Sequence, residues 1–381
     1  LRPEIVTRME IDLDQIVHNY REVVRHVCPA EVYAVIKSEA YGHGAVPVAR
    51  ALSEAGCRTL AVALVDEGIQ LRRAGIGGTI MVKGASLPWQ YPAILEHDLV
   101  PVLPDAERMG DWDRVAREAG RQAGFHIKVD VGLGRLGMMP WQGEEAARVA
   151  AGLSHARLLG ISGHLSSPGG SPEQNQLEER YFHEFCEPVR ARFPEAARHL
   201  AASQAVACYS HMNLELVRIG GLIYGLQHVT DHGMDLRPAM TFKTAVGQVK
   251  ELPAGWGIGY NRRWVLDEPM RMAVLPMGWT DIFNSQMVGN AEVLIGGVGR
   301  RLVGVCTDFA MVDVSEEPVP APGDEVVIIG SQGDRTITAI ELGRRGGIST
   351  GQLLGKISLR VPRIYTSGGR EIGELSVLGP S

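Results

Sequence analysis

Residues able to do chemistry stand at the ends of short apolar runs. Lys37 closes the run Val32 to Lys37, and Lys128, Asp130 and Arg135 close or follow Phe125 to Asp130. His164 closes Leu158 to His164, Ser203 closes His199 to Ser203, and Arg218 accompanies Gly220 and Gly221 in Val217 to Tyr224. A lysine amine condenses with carbonyl compounds, and small residues or hydroxyls, here Tyr41, Ser203 and the Gly220-Gly221 amides, bind phosphate through short hydrogen bonds. That pairing suits pyridoxal phosphate. Arginine stays protonated, so Arg218 near the pyridine nitrogen would leave it unprotonated and favour simple proton exchange over side reactions. Taken singly, each has a plainer explanation: a surface lysine, a structural histidine, turn glycines, a rim salt bridge.

The elements that must position these residues alternate. Thr59 to Leu64, Thr79 to Lys83 and Val100 to Leu103 complete a set of eight β-branched or apolar runs with helical segments between them, the pattern of parallel βα units. Three of those helices stop at Ala-Gly, at Gly56, Gly75 and Gly120, where glycine adopts the left-handed helix-ending conformation. Trp112, Val115, Ala116 and Ala119 fall at helical spacing and give one segment an apolar face. Eight strands predict an α/β fold of the (β/α)8 TIM-barrel type, whose functional groups gather at the C-terminal ends of its strands. An open doubly wound sheet would want a glycine-rich turn after its first strand. After about Asp235 the helical units cease and extended runs dominate: Met240 to Leu252, Met272 to Met277, Glu292 to Val314 and Glu325 to Gly330. The expected organisation is a barrel over 1–234 followed by a mostly β domain over 235–381.

Composition narrows the function classes. With 381 residues, 45 % hydrophobic and 22 % charged, the chain suits a folded two-domain protein. A net charge of −6 offers no general attraction to nucleic acid or anionic lipid. No apolar run reaches the roughly 20 residues of a membrane span, and no signal-peptide pattern is evident, so a cytoplasmic protein is expected. Cys28, Cys57, Cys186, Cys208 and Cys306 are scattered and odd in number, and the histidines lack metal-site spacing. Neither a disulfide framework nor a bound metal is expected.

Ala34 to Gly44 reads A-V-I-K-S-E-A-Y-G-H-G and resembles the cofactor-lysine motif of bacterial alanine racemases, A-V-V-K-A-N-A-Y-G-H-G. Lys128 to Gly137, K-V-D-V-G-L-G-R-L-G, and Arg218 to Gly225, R-I-G-G-L-I-Y-G, are similar to two further motifs of that family. Leu236 to Met240, Gly259-Tyr260, Pro276 to Asp281 and Arg360 to Tyr365 extend the resemblance over nearly the whole chain.

The resemblance implies a pyridoxal-phosphate barrel with a β domain, in a homodimer whose active sites are shared. It implies two-base exchange at the Cα of a small amino acid, alanine. Lys37 would serve the D-face and Tyr260, from the other subunit, the L-face. A phenol titrates near about 10, so Tyr260 needs nearby donors or positive charge to act as a base; His164 and Arg218 are the candidates. Arg135 would hold the substrate carboxylate or the cofactor's ring hydroxyl, and the lysine matching Lys128 is often carbamylated in the family. Supply of D-alanine for a bacterial cell wall is the implied role.

Four positions depart from the family pattern: Glu39 for asparagine, Trp279 for tyrosine, Thr307 for methionine and Gly351 for tyrosine. Thr307 matches a substrate contact, Gly351 a pocket-narrowing and phosphate-touching position, and Trp279 the entrance. The alternatives are a racemase acting on serine or larger amino acids, or a degenerate homologue that binds the cofactor without activity.

Overall fold

The computed structural model describes residues 6–229 and 231–377. The extreme ends of the two expected domains lie outside these residues. The chain forms two compact units.

The first comprises Ile16–Ala40 and Ala45–Leu236. Its parallel strands are β2 (Glu31–Val35), β3 (Thr59–Val62), β4 (Thr79–Val82), β5 (Leu99–Leu103), β6 (Ala123–Lys128), β7 (Ala156–Ser162), β8 (Ala197–His199) and β9 (Leu216–Ile219), numbered after a strand β1 of the other unit. They pair in the order β8-β7-β6-β5-β4-β3-β2-β9. The ring is closed between β8 and β9 by the Arg218 amide, which donates to Ala201 O at 3.1 Å, and by a bridge between Ala202 and Arg218. The strands read as continuous apolar runs because both faces are covered: Ala61, Val62, Met81, Val82, Phe125 and Ile127 are fully buried.

All eight expected strands are present; all but β5 stop short of the expected last residue, β8 and β9 by the most. His199 to Ser203 was expected as one run, but the strand stops at His199 and Ser203 opens a short helix, Ser203–Cys208. Val217 to Tyr224 breaks at Gly220 (φ −113°, ψ −87°), after which Gly221–Tyr224 form a 3-10 turn. Gly56, Gly75 and Gly120 have φ of +94°, +81° and +64°, as helix-ending glycines require. Trp112, Val115 and Ala116 are buried, whereas Ala119 lies beyond the helix Ala106–Glu118 and is exposed.

The second unit joins residues up to Gln15 and Tyr41–Gly44 to those from Arg237 onward. It contains β1 (Arg8–Asp12), then β10 (Met240–Ala245), β11 (Gln248–Leu252), β12 (Gly257–Ile258), β13 (Trp264–Val265), β14 (Met270–Leu275) and β15 (Glu292–Ile295). β16 (Val298–Val305), β17 (Ala310–Asp313), β18 (Glu325–Gln332), β19 (Arg335–Ile337), β20 (Arg363–Ser367) and β21 (Arg370–Leu375) follow. The main sheet runs β11-β14-β17-β16-β15-β18-β10-β1-β20-β21. Thus β1 lies antiparallel to β10 and parallel to β20. Helices do not cease after Asp235, as expected from sequence: Ala339–Arg345 and Thr350–Leu354 form where Thr338 and Ser349 side chains cap exposed amides.

Met9 and Ile11 of β1 are fully buried. Ile11→Ala should destabilise the fold by about 2–5 kcal/mol, the usual range for emptying such a site. A lowered urea midpoint by tryptophan fluorescence is the expected result, and an unchanged midpoint would contradict this placement of β1.

Candidate active site

Immediately after β2, the chain turns the wrong way. Ser38, Glu39, Ala40 and Tyr41 have φ of 54°, 52°, 51° and 55°, a left-handed turn of non-glycine residues that costs on the order of 1–2 kcal/mol per residue. Two carboxylates hold its barrel side. Glu67 Oε1 accepts the Ser38 amide at 2.5 Å while its Oε2 accepts those of Ala63 and Leu64 at 2.7 and 2.9 Å. Glu39 Oε2 accepts the Ala45 amide at 2.9 Å and Oε1 accepts Gln70 Nε2 at 3.0 Å. Glu39, a departure from the family motif, therefore ties the turn that begins at Lys37 to the helix Val65–Arg73. Strain of this kind persists only where surrounding contacts fix it, and it clusters at functional sites.

The loop after β6 is organised by Asp130. Its Oδ1 accepts the amides of Gly132, Leu133 and Gly134 at 3.0, 2.9 and 3.1 Å, and its Oδ2 accepts that of Arg135 at 2.6 Å. Burial pushes this carboxyl up, but those four amides outweigh it and hold the group below its ordinary range. Gly137 (φ +131°) must be glycine, because a Cβ there would lie 2.5 Å from Asp130 N. At the end of β6, Lys128 Nζ donates to Val129 O at 3.1 Å and to Ser162 O at 3.2 Å. Burial, Arg218 and Arg135 push this amine far down from its ordinary value.

Arg218 reaches across the top of the neighbouring strands. Its Nη1 donates to His199 Nδ1 at 2.8 Å and His199 O at 2.6 Å; its Nη2 donates to Gly163 O at 2.8 Å, Leu200 O at 3.0 Å and His164 Nδ1 at 3.4 Å. Burial and then Arg135 bring it to about 10, so it remains a cation near neutrality. Beneath it, His199 Nε2 lies 2.9 Å from His126 Nδ1. Since His199 Nδ1 accepts from arginine, its Nε2 carries the hydrogen and donates to His126, leaving a hydrogen on His126 Nε2. Burial and Arg218 lower all three imidazoles, His126 to about 3 and His164 to about 2. They are neutral at physiological pH. The hydroxyl of Ser203 accepts the Gly220 amide at 3.0 Å, placing that hydroxyl and the Gly220-Gly221 turn side by side.

One further group lies at this mouth and escaped the sequence reading. Lys83 follows β4 and is partly buried; burial, Arg218, Lys37 and Arg135 bring its amine down to about 7, against the opposing effect of Glu67. His126 and His199 were likewise missed. The signal available was inward alternation on β6 and a run end on β8, neither of which separates a working histidine from a packed one.

The other candidates belong to the second unit. Tyr260 is 60 % exposed and its ring lies 6.0 Å from that of Trp279, tilted by 32°. The Trp279 amide donates to Cys306 O at 3.1 Å and the Thr280 hydroxyl to Thr307 O at 2.9 Å. Arg360 fixes this pair of loops: Nε donates to Asp281 Oδ1 at 2.7 Å, Nη2 to Asp281 Oδ2 at 2.9 Å and Nη1 to Asp308 Oδ1 at 2.7 Å. Tyr260, Trp279 and Thr307 are therefore one assembly. Tyr41 is raised to about 12 by burial. Its segment is held by buried Arg363, whose Nε donates to Gly42 O at 3.3 Å, and it packs on the helix carrying Gly351, since a Cβ on Gly42 would lie 2.6 Å from Leu354 O. Gly351 itself has open space where a side chain would stand.

The neutral buried histidines have a pH consequence. In the unfolded chain they take up protons below about pH 6.5, whereas folded His126 resists until about 3. Below pH 6.5 the unfolded state thus binds more protons, and stability falls as pH falls. His126→Gln should flatten the acid limb of a stability-against-pH curve relative to the parent. Identical limbs would show that His126 is not held neutral.

Comparison with known proteins agrees with this geometry. Residues 11–228 match the alanine racemase N-terminal domain and 239–365 the alanine racemase C-terminal domain. The alanine racemase of Symbiobacterium thermophilum is 38 % identical over 94 % of this chain and 97 % of its own; that of Halothermothrix orenii is 33 % identical over 94 % and 96 %. The structure of alanine racemase from Bacillus anthracis with bound L-Ala-P, 29 % identical, superposes with a TM-score of 0.90 over 99 % of both chains. A barrel mouth and a β unit carrying these motifs, matched from end to end, place the chain in the alanine racemase family.

Proposed function

We propose that the chain interconverts L- and D-alanine with pyridoxal 5'-phosphate, through a barrel near 1–234 and a β domain near 235–381. The observation carrying the cofactor is the charge imbalance at the mouth. Lys37, Lys83, Lys128, Arg135 and Arg218 act on one another there, while the oxygens of the nearby carboxylates Glu67 and Asp130 are taken by backbone amides. An anionic ligand answers such a surplus. Ser203, the Gly220-Gly221 turn and Tyr41 are the groups to hold its phosphate, Lys37 its carbonyl carbon, and Arg218, His164 and Lys128 the surroundings of its ring.

The pyridoxal group supplies electron withdrawal from the substrate Cα–H bond. Lys37 is the amine that exchanges the proton on the D-face. Tyr260 exchanges it on the L-face, and Arg135 holds the carboxylate, with Thr307 beside the substrate. We assign Tyr260 to the site of a second subunit, in a homodimer; its 60 % exposure within one copy suits a group that serves a neighbour. Arg218 is a cation near neutrality and makes a poor proton donor to a ring nitrogen, which favours exchange over deeper electron delocalisation.

A larger substrate or a degenerate homologue is not favoured, because the relatives from Symbiobacterium thermophilum and Halothermothrix orenii, which match 94 % of this chain, are alanine racemases. Among the described residues no helix is long and apolar enough to cross a membrane, and five free cysteines suit a reducing compartment. Action in the cytoplasm, making D-alanine for the cell wall, is the role proposed.

Deuterium incorporation at Cα of L- and D-alanine in heavy water, with chiral chromatography, tests the reaction. Lys37→Ala should abolish both exchange and cofactor absorbance, whereas Tyr260→Phe should retain the absorbance and lose exchange from L-alanine by at least about 100-fold, the scale of a lost general acid-base group. Full racemisation by Lys37→Ala would refute the assignment.

A further inference from the structure

Lys83 has no part in the chemistry described so far. Its backbone is fixed, since the Lys83 amide donates to Val62 O at 3.0 Å and the Gly84 amide to Ala63 O at 3.1 Å. A Cβ on Gly84 would lie 2.2 Å from Ala63 O, so the close approach of the two strand ends requires glycine there. Val35, Ala61 and Met81 share one register row across β2, β3 and β4. Carried two residues past the ends of β2, β3 and β4, that row runs to Lys37, Ala63 and Lys83, and Lys37 and Lys83 act on each other's charge. Alternate strands of a barrel point side chains to the same interior layer, so Lys83 belongs beside Lys37 on the mouth.

Its neighbours leave the amine unanswered. Cations face it as Lys37 after β2, Lys128 and Arg135 after β6, and Arg218 from β9. His164 and His199 also feel its charge, and both are neutral. Glu67 is the opposing carboxylate, but Ser38, Ala63 and Leu64 amides occupy its oxygens. The Lys83 amine makes no hydrogen bond or ion pair among the described residues.

The connectivity of the pyridoxal ring gives this amine a task. Its phosphate arm and its ring oxygen sit on the two carbons flanking the one that bears the aldehyde. With the aldehyde carbon at Lys37 and the arm toward Ser203, Gly220 and Gly221, the oxygen is left on the other flank. Around the barrel, β9 borders β2 on the phosphate side, and β3 then β4 border it on the opposite side.

We propose that Lys83 is a cofactor-binding residue whose ammonium holds the pyridoxal ring oxygen as an anion, on the flank opposite the phosphate. The inference rests on the cofactor reading above. An amine brought down to about 7 by burial and its cationic neighbours regains its proton when an anion lies against it, so cofactor and proton bind together.

The test titrates pyridoxal phosphate into apoprotein, following the visible band of the lysine-linked cofactor and then its dependence on pH. Lys83→Met should weaken cofactor binding at least 10-fold and raise the pH midpoint of the band, since losing a nearby positive charge favours the protonated chromophore. Lys83→Arg, which keeps the positive charge, should stay within about 3-fold of the parent. Circular dichroism checks folding, and if Lys83→Met fails to fold, Lys83→Gln carries the same expectation. Parental affinity and midpoint in the neutral variant would overturn the inference while leaving the cofactor reading intact. Absence of any band in the parent protein would instead overturn the cofactor reading.

Discussion

Lys37, Lys83, Lys128, Arg135 and Arg218 crowd one end of a barrel whose nearest carboxylates, Glu67 and Asp130, use their oxygens to hold backbone. Like charges at such distances disfavour one another, more so where burial removes water. The mouth responds by lowering two lysines toward neutrality and keeping three histidines uncharged. An anionic ligand relieves the same repulsion directly. The tension in the protein alone is thus what the proposed phosphorylated cofactor and carboxylate-bearing substrate would relieve.

Backbone geometry keeps the charges from dispersing. A lysine on a relaxed strand end would swing out to water, but Lys37 precedes four left-handed residues whose barrel end is tied by Glu67 and Glu39. Asp130 gathers four amides so that Arg135 stands at a set place on its loop. In the β unit, Arg360 performs the corresponding task for the loops bearing Trp279 and Thr307, and Arg363 for the segment bearing Tyr41. Charged side chains here serve as fasteners for backbone.

Periodicity was enough to read the barrel, because its strands are apolar on both faces and its helices end at left-handed glycines. Motif spacing singled out Lys37, Arg135, His164, Ser203 and Arg218, which the structure sets in or just after β2, β6, β7, β8 and β9. What escaped reflects physics that is not local. β1 is a short stretch whose partners, β10 and β20, lie more than two hundred residues away. The helices Ala339–Arg345 and Thr350–Leu354 are too brief to show a period. Lys83 looks like an ordinary strand-end lysine until the register aligns it with Lys37, and Glu39 looks like drift until its carboxylate is seen bonding the Ala45 amide. The histidine pair beneath Arg218 depends on two residues 73 apart meeting in the barrel interior.

Lys37 is the residue proposed to carry the covalent link between this mouth and pyridoxal phosphate. Borohydride reduction of the cofactor-loaded protein, followed by peptide mapping by mass spectrometry, tests it most directly. A phosphopyridoxyl group confined to Lys37 is the predicted result. Its appearance on Lys83 or Lys128 instead, or on none of the three, would contradict the account.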